Sequence, residues 1–201
     1  LIEEHTEDML MMSGVSKDER LDSSIWSSVT KRVPWLIFNL ATAFLSSMIV
    51  AQFESTIAKV AVLAAIMPII AGLGGSAGSQ TLSVVIRSLA MGELRLRDSH
   101  PIIKKQIAVG LINGVLIGTI AAVFVYVILH NWALSLIVFA AMLGNQLIAN
   151  IIGFIVPVVL AKLNMDPALA SSMFVTTTTD IVGFFLLLGL ATRMMPHLLT
   201  L

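Results

Sequence analysis

Five long apolar runs limit what this chain can fold into more than any other feature. A membrane-spanning α-helix needs roughly 20 apolar residues, and hydrocarbon tolerates only a backbone whose hydrogen bonds are satisfied internally. The runs cover residues 34–55, 57–89, 103–130, 132–161 and 167–195. They predict an all-α, polytopic membrane protein with five transmembrane helices within residues 34–201, preceded by a polar segment, residues 1–33.

The composition agrees with lipid as the main solvent. Hydrophobic residues make up 57% of the chain and charged residues 12%, whereas soluble domains carry about 25% charged residues. No cysteine is present, which excludes disulfides, thiolate metal sites and cysteine nucleophiles. Lys plus Arg and Asp plus Glu each number 12, so we expect no polybasic surface and no nucleic-acid partner. Because the chain does not begin with Met, we expect it to be part of a longer protein.

The polar segment is expected to lead into the membrane. Residues 2–12 can form a short helix with one acidic face. Trp26 and Trp35 bracket Lys31 and Arg32, as is typical where a helix crosses the headgroup layer.

The second run is too long for one straight span. Pro68 and a cluster of glycines in its middle predict a bent or partly opened helix there. The same glycines also suit close helix packing, and both interpretations can hold together. Asp166 and Pro167 are expected to start the last helix. Elsewhere, the glycines 110, 114 and 118 are expected to serve packing, and four amides are expected to join helices: Asn113, Asn145, Gln146 and Asn150.

The distribution of Lys and Arg predicts the orientation. With the N-terminus in the cytoplasm, only Lys59 and Arg193 fall on the outer side. The inner side then holds Lys31, Arg32, Arg87, Arg95, Arg97, Lys104, Lys105 and Lys162. Five spans place the C-terminus outside, and we expect the protein in the cell inner (plasma) membrane.

Asp180 is the one ionisable residue that the runs place at the centre of a span. Such residues are costly in lipid and usually functional. Thr176, Thr177 and Gly183 lie one turn away, so that hydroxyls and a bare backbone are expected beside the carboxylate. These hard oxygen donors suit Mg²⁺, Mn²⁺ or Ca²⁺ better than zinc or copper. The alternatives are a hydrogen-bonded structural aspartate and threonines that bond back to their own helix.

One carboxylate cannot neutralise a divalent ion, whereas two related by a twofold axis could. Five helices are also few for enclosing a pore within one protomer. Both considerations favour a C2 homodimer in which the Asp180 side chains face each other across the axis.

Two long motifs resemble the transmembrane domain of the MgtE magnesium channels. They are PIIAGLGGSAGSQTLSVVIRSLAMGEL and DPALASSMFVTTTTDIVGFFLLLGLAT. The resemblance implies a homodimer whose pore runs along the dimer axis between the second and fifth helices. It also implies that Asp180 binds a hydrated magnesium ion, with oxygens at Gly72, Thr176 and Gly183 helping to line the path. Four further residues are predicted to line the pore: Thr177, Gly75, Ser76 and Ser172.

The segment EEHTEDMLMMSGV resembles the linker of that family, which acts as a plug. The resemblance implies that residues 1–33 form this cytoplasmic linker, with Glu7 and Asp8 as its regulatory positions. It implies cytoplasmic regulatory domains of the CBS type as partners, beyond this chain. A solvated acidic face is the alternative for these carboxylates. The family usually has GGN where this chain has Gly-Gly-Ser76, which leaves plug docking and fine ion selection open.

The sequence as a whole predicts a channel for magnesium, not an enzyme. Mn²⁺, Co²⁺ and Ca²⁺ stay possible as bound ions, because the donors fit each of them to some degree. A proton-coupled secondary transporter is the leading alternative, in which Asp180 would exchange a proton for the metal. An intramembrane aspartyl protease would need two carboxylates in one site; a dimer could pair two Asp180 residues, but nothing else in the sequence resembles that chemistry. A scaffold would leave the central aspartate without a purpose.

Overall fold

The computed structural model describes residues 10–13, 15–16, 20–94, 99–168 and 171–198, which contain helices and no strand. The helices are α1 (Ile25–Ala51), α2 (Glu54–Lys59), α3 (Val62–Ala90), α4 (Ser99–Leu129), α5 (Trp132–Lys162), α6 (Ser171–Arg193) and α7 (Met195–Leu198). Of these, α1, α3, α4 from Pro101 onwards, α5 and α6 are long and apolar enough to cross a membrane. The predicted all-α fold with five spanning helices is confirmed.

Several helix ends differ from the predicted bounds. The first span begins at Ile25 and not at residue 34, because the Ser24 hydroxyl accepts the N–H of Ser27 as an N-cap. The second run is divided, since Val60 leaves the helical region (φ −132°, ψ 72°) and separates α2 from α3. Asp166 does accept a backbone N–H, from Ala168 at 2.8 Å, yet it closes a turn and α6 itself begins at Ser171.

The predicted opening of the second run at its glycines is wrong, since α3 remains α-helical from Val62 to Ala90. Pro68 is exposed near the start of α3, where it deprives only the carbonyl of Ala64 of a helical donor. Two of the glycines, Gly74 and Gly78, serve close packing instead. A Cβ added to Gly78 would lie 2.3 Å from Cγ1 of Val175 and 3.3 Å from the carbonyl oxygen of Ala149. Neighbouring helices therefore stabilise a segment whose own sequence has a low helix propensity.

Helix α5 lies at the centre of the bundle and packs against α3, α4 and α6. Its contact with α4 follows the predicted glycines. A Cβ on Gly110 or Gly114 would stand 3.0 Å from a Cα of α5, and one on Gly118 would stand 3.2 Å from the carbonyl oxygen of Phe139. The role of these glycines in packing is confirmed. Helix α1 packs mainly against α6 and leaves most of its surface exposed.

We predict that Gly153→Ala destabilises the bundle by about 1–3 kcal/mol, the usual range for an overpacked core. The new methyl group would lie 2.5 Å from the carbonyl oxygen of Gly78, so α3 and α5 must separate. Gly189→Ala is the control, because nothing lies within 4 Å of the added carbon. Thermal unfolding in detergent should show a lower midpoint for the first variant only. Equal midpoints would contradict the close contact of α3 and α5.

Candidate functional site

The outward side of α3 carries a polar stripe, which we define as Gly72, Ser76, Gln80 and Ser83. All are exposed and follow one another at helical spacing along one face. Helix α3 also exposes Ile69 and Val84, but large apolar side chains such as Phe44 and Phe124 dominate the outward faces of α1 and α4. Apolar faces suit lipid, whereas a polar stripe at mid-membrane needs water or protein against it. The stripe thus marks the side of the bundle that is not built for lipid.

Helix α6 lies directly beside this stripe. A Cβ added to Gly75 would be in ordinary contact with Thr176 and Thr179, at 3.9 Å from Cγ2 of the first and Oγ1 of the second. Gly75 and Ser76 are neighbours in α3, so the threonines of α6 border the stripe. The structure therefore brings together the parts of the second and fifth spans that the sequence singled out.

Asp180 lies on the same side of α6 as Thr176. We call the α3 stripe together with these two residues the polar flank. Every fourth residue of this helix is buried, as Val175, Thr179 and Gly183 show. Thr176 and Asp180 each follow one of these buried residues, and they therefore lie side by side at the edge of the buried ridge. Asp180 is half-buried near the middle of α6. It makes no hydrogen bond or ion pair with any residue that the structure describes, so the carboxylate is available to a ligand.

The four consecutive threonines of α6, residues 176–179, divide into two pairs. Thr178 donates to the carbonyl oxygen of Phe174 at 2.8 Å, and Thr179 donates to that of Thr176 at 2.9 Å. These two follow the alternative in which threonine bonds back to its own helix. The hydroxyls of Thr176 and Thr177 form no hydrogen bond within the described residues. Thr176 is exposed beside Asp180 and Thr177 is half-buried, so their oxygens are the candidate secondary donors.

Four predicted site residues have neighbours that the sequence does not reveal. Gly183 faces the interior, where an added Cβ would meet Nδ2 of Asn145 at 2.8 Å, and this direction separates it from the exposed flank. Ser76 donates to the carbonyl oxygen of Gly72 at 2.7 Å, so these two predicted donors bind each other. The Ser172 hydroxyl donates to the carbonyl of Met12. The predicted regulatory residues Glu7 and Asp8 lie outside the described residues.

Amide side chains of α5 fix α3 in place behind the stripe. Asn145 is fully buried and donates to the carbonyl of Ile70 at 2.9 Å. Gln146 donates to the carbonyl of Leu73 at 3.3 Å, and Asn150 accepts from the Thr81 hydroxyl at 2.8 Å. The predicted role in joining helices is confirmed for these three amides, whereas no hydrogen bond to another described residue shows it for Asn113. Asn145 also inserts between α3 and α6, because a Cβ on Gly74 would lie 2.2 Å from its Nδ2.

Sequence reasoning missed Gln80. It is exposed on the polar stripe, one turn after Ser76, and that spacing of four residues was the signal that could have revealed it. Among the described residues, no three His, Cys, Asp or Glu side chains come together. The donors on this flank are therefore one carboxylate with neutral amide and hydroxyl oxygens, a set that suits a hydrated hard cation.

A bundle of spanning helices with one carboxylate on a polar flank is a polytopic membrane protein with a candidate functional site inside the membrane. The model of the MgtE family, described as a divalent cation transporter, matches residues 67–190, and the chain belongs to this family.

Three curated relatives are each named magnesium transporter MgtE. That of Enterococcus faecalis is 30% identical over 97% of this chain, that of Bacillus subtilis 30% over 98%, and that of Thermus thermophilus 32% over 94%. The matches cover 43%, 44% and 42% of those proteins. The chain thus spans less than half the length of the relatives it matches.

We predict that Gly74→Ala and Asn145→Ala are energetically coupled. The three atoms nearest to a Cβ on Gly74 all belong to the Asn145 side chain, so truncating that side chain removes the obstacle. Gly74→Ala alone should cost about 1–3 kcal/mol, and this cost should largely disappear in the Asn145→Ala background. The measurement is a double-mutant cycle of unfolding free energies.

Gly78→Ala is the matched control for this cycle. Its added carbon would meet Val175 and Ala149, so its cost should be the same with either residue at position 145. If Gly74→Ala still lowers the free energy of unfolding after truncation of Asn145, the insertion of the Asn145 side chain between α3 and α6 is contradicted.

Proposed function

We propose that this chain forms the pore of a magnesium channel, in which two copies pass hydrated Mg²⁺ between them. The observation that carries the proposal is the polar flank of an otherwise apolar bundle: the α3 stripe with Thr176 and Asp180 beside it. Membership of a divalent cation transporter family supports it. So do the names of the relatives, which are magnesium transporters. Transport of an ion makes and breaks no covalent bond, so the proposed activity is not enzymatic.

In a C2 homodimer, the polar flank would be covered by a second copy of the chain instead of lipid. If lipid covered the stripe, Gln80 and Asp180 would each meet hydrocarbon, which offers no hydrogen bonds. A second copy related by a twofold axis covers the flank with the same polar surface and leaves room for water. The pore then runs along the dimer axis, with α3 and α6 of each copy as its walls.

The residue roles follow from charge and hydration. Asp180 concentrates cations and repels anions, and its partner's Asp180 supplies the second negative charge. Magnesium sheds its water reluctantly, so the carboxylates hold the ion through its hydration shell. The hydroxyls of Thr176 and Thr177 and the polar surface at Gly72, Gly75 and Ser76 offer weak neutral contacts, which let the ion leave again.

The N-terminal segment is the proposed plug of this pore. Met11 and Met12 pack against a buried cluster that contains Leu82 and Ile86 of α3 and Val175 of α6, and the Ser172 hydroxyl donates to the carbonyl of Met12. The segment thus contacts α6 and packs on the cluster that joins it to α3, at the end of α3 that carries Arg87. On the distribution of Lys and Arg, this end is cytoplasmic, in the plasma membrane. Regulatory domains of the CBS type would act on the pore through this contact.

A proton-coupled transporter of divalent cations is the second candidate. It is favoured by the absence of an ion-pair partner for Asp180 among the described residues, since such a carboxylate can exchange a proton for a metal ion. Mg²⁺ currents that persist with equal pH on both sides of a bilayer support the channel. Strict dependence of uptake on a pH gradient supports the transporter. The same recordings with Mn²⁺, Co²⁺ and Ca²⁺ determine which ions pass.

We predict that Asp180→Asn lowers Mg²⁺ uptake into liposomes at least about tenfold, the effect of some 1.4 kcal/mol on ion binding. The substitution keeps the size of the side chain and removes its charge. Glu54→Gln is the control, because Glu54 is exposed at the start of α2 and away from the flank. A fluorescent Mg²⁺ indicator inside the liposomes gives the rate. Unchanged uptake by Asp180→Asn would exclude the carboxylate from the ion path.

We predict that Ser76→Cys can be cross-linked between two copies. The chain has no native cysteine, and bifunctional thiol reagents of graded length report the distance between the introduced thiols. Leu116→Cys is the control, since Leu116 is exposed near the middle of α4 among apolar residues and faces lipid in the proposed dimer. Dimers on a denaturing gel are expected for position 76 with short reagents. Cross-linking only at position 116 would require a different interface.

A further inference from the structure

A polar cavity lies on the side of the α3 stripe that faces away from α6. It has a volume of about 230 Å³, is lined by α3, α4 and α5, and is partly open to the surroundings of the bundle. Its lining residues Ser76, Asn113 and Gln146 each lie within one or two residues of the middle of their helices. The cavity is therefore at mid-membrane depth. Since Ser76 and Gln80 belong both to its wall and to the exposed stripe, the cavity opens onto the polar flank.

The chemistry of the wall indicates what the cavity holds. Four of its residues are polar and uncharged, Ser76, Gln80, Asn113 and Gln146, and the rest of the wall is apolar: Leu73, Ala77 and Ile117. Gln146 is 3% exposed, and its Oε1 accepts no hydrogen bond from any residue that the structure describes. An unsatisfied buried carbonyl costs about 1–3 kcal/mol, and an acyl chain cannot satisfy it. A polar cavity of this size holds several waters at about 30 Å³ each.

We infer that this cavity is a water-filled side chamber of the pore, which binds the outer hydration shell of the passing divalent cation. The amides of Asn113, Gln146 and Gln80 order the chamber water, and that water continues into the hydration shell of an ion at the stripe. Neutral amides suit this task because they bind water without trapping the ion. The part of the inference that concerns the cation rests on the proposed function. The part that concerns water rests only on the residues that line the cavity.

Cysteine accessibility tests the chamber. Asn113→Cys and Ile117→Cys place a thiol in the wall, and Val115→Cys places one at the same depth on the exposed apolar face of α4. A cationic methanethiosulfonate reagent should react with the wall thiols at least about tenfold faster than with position 115, since only a hydrated thiolate reacts. Saturable slowing of the wall reaction by Mg²⁺ is expected from cation hydration in the chamber.

Each outcome decides one part of the inference. Rates at positions 113 and 117 as slow as that at position 115 would overturn the water-filled chamber, and lipid would then fill the cavity. Fast reaction without any effect of Mg²⁺ would overturn the binding of the hydrated cation. The use of two wall positions guards against a variant that does not fold. Mg²⁺ uptake by the unsubstituted chain is measured separately, so failure of the proposed function is distinguishable from failure of the chamber.

Discussion

Polar groups buried at mid-membrane must find partners inside the protein, and the whole arrangement follows from that constraint. Hydrocarbon offers no hydrogen bonds, so the amide N–H groups of Asn145 and Gln146 are directed at backbone carbonyls, whereas their amide oxygens accept no hydrogen bond from any described residue. Asn145 and Gln146 use carbonyls of α3 that already accept a helical bond. These contacts join α3 to α5 without opening either helix. They also explain why a helix with a proline and several glycines remains continuous: its neighbours supply the stability that its own sequence lacks.

Helix α3 is consequently the element on which the site depends, because each of its sides has a different task. One side receives the α5 amides, and a second approaches α6 through Gly75. The third is the polar stripe, with the side cavity at its edge. Small residues make this division possible, since they allow two close helix contacts without occupying the stripe. A larger residue at position 75 would push Thr176 and Asp180 away from the stripe.

The sequence sufficed for the number of spans, the packing glycines and the joining amides, because hydropathy and small-residue spacing are local signals. It failed where tertiary contacts decide. The glycines after Pro68 indicated an opened helix, yet Val175 and Ala149 pack against Gly78 and hold it closed. Helical spacing grouped Gly183 with Asp180, but spacing cannot tell that Asn145 occupies the side of α6 at Gly183. Gln80 was missed because a search for ionisable residues passes over neutral amides. Its position on the stripe makes it as good a candidate for the site as the residues that were predicted.

The proposed pairing of two Asp180 side chains can be assessed by comparing Coulomb energies, because the dielectric constant cancels from their ratio. Two carboxylates a distance r apart repel in proportion to 1/r, and a divalent ion midway attracts them in proportion to 8/r, about eightfold more. A monovalent ion attracts them in proportion to 4/r. After the repulsion between the carboxylates is subtracted, the net attraction is in proportion to about 7/r for the divalent ion and about 3/r for the monovalent ion. Because a hydrated ion keeps most of its water, little of this difference is lost to dehydration. A pair of carboxylates with neutral neighbours is thus selective by valence, and an additional acidic residue on the flank would strengthen binding at the expense of release.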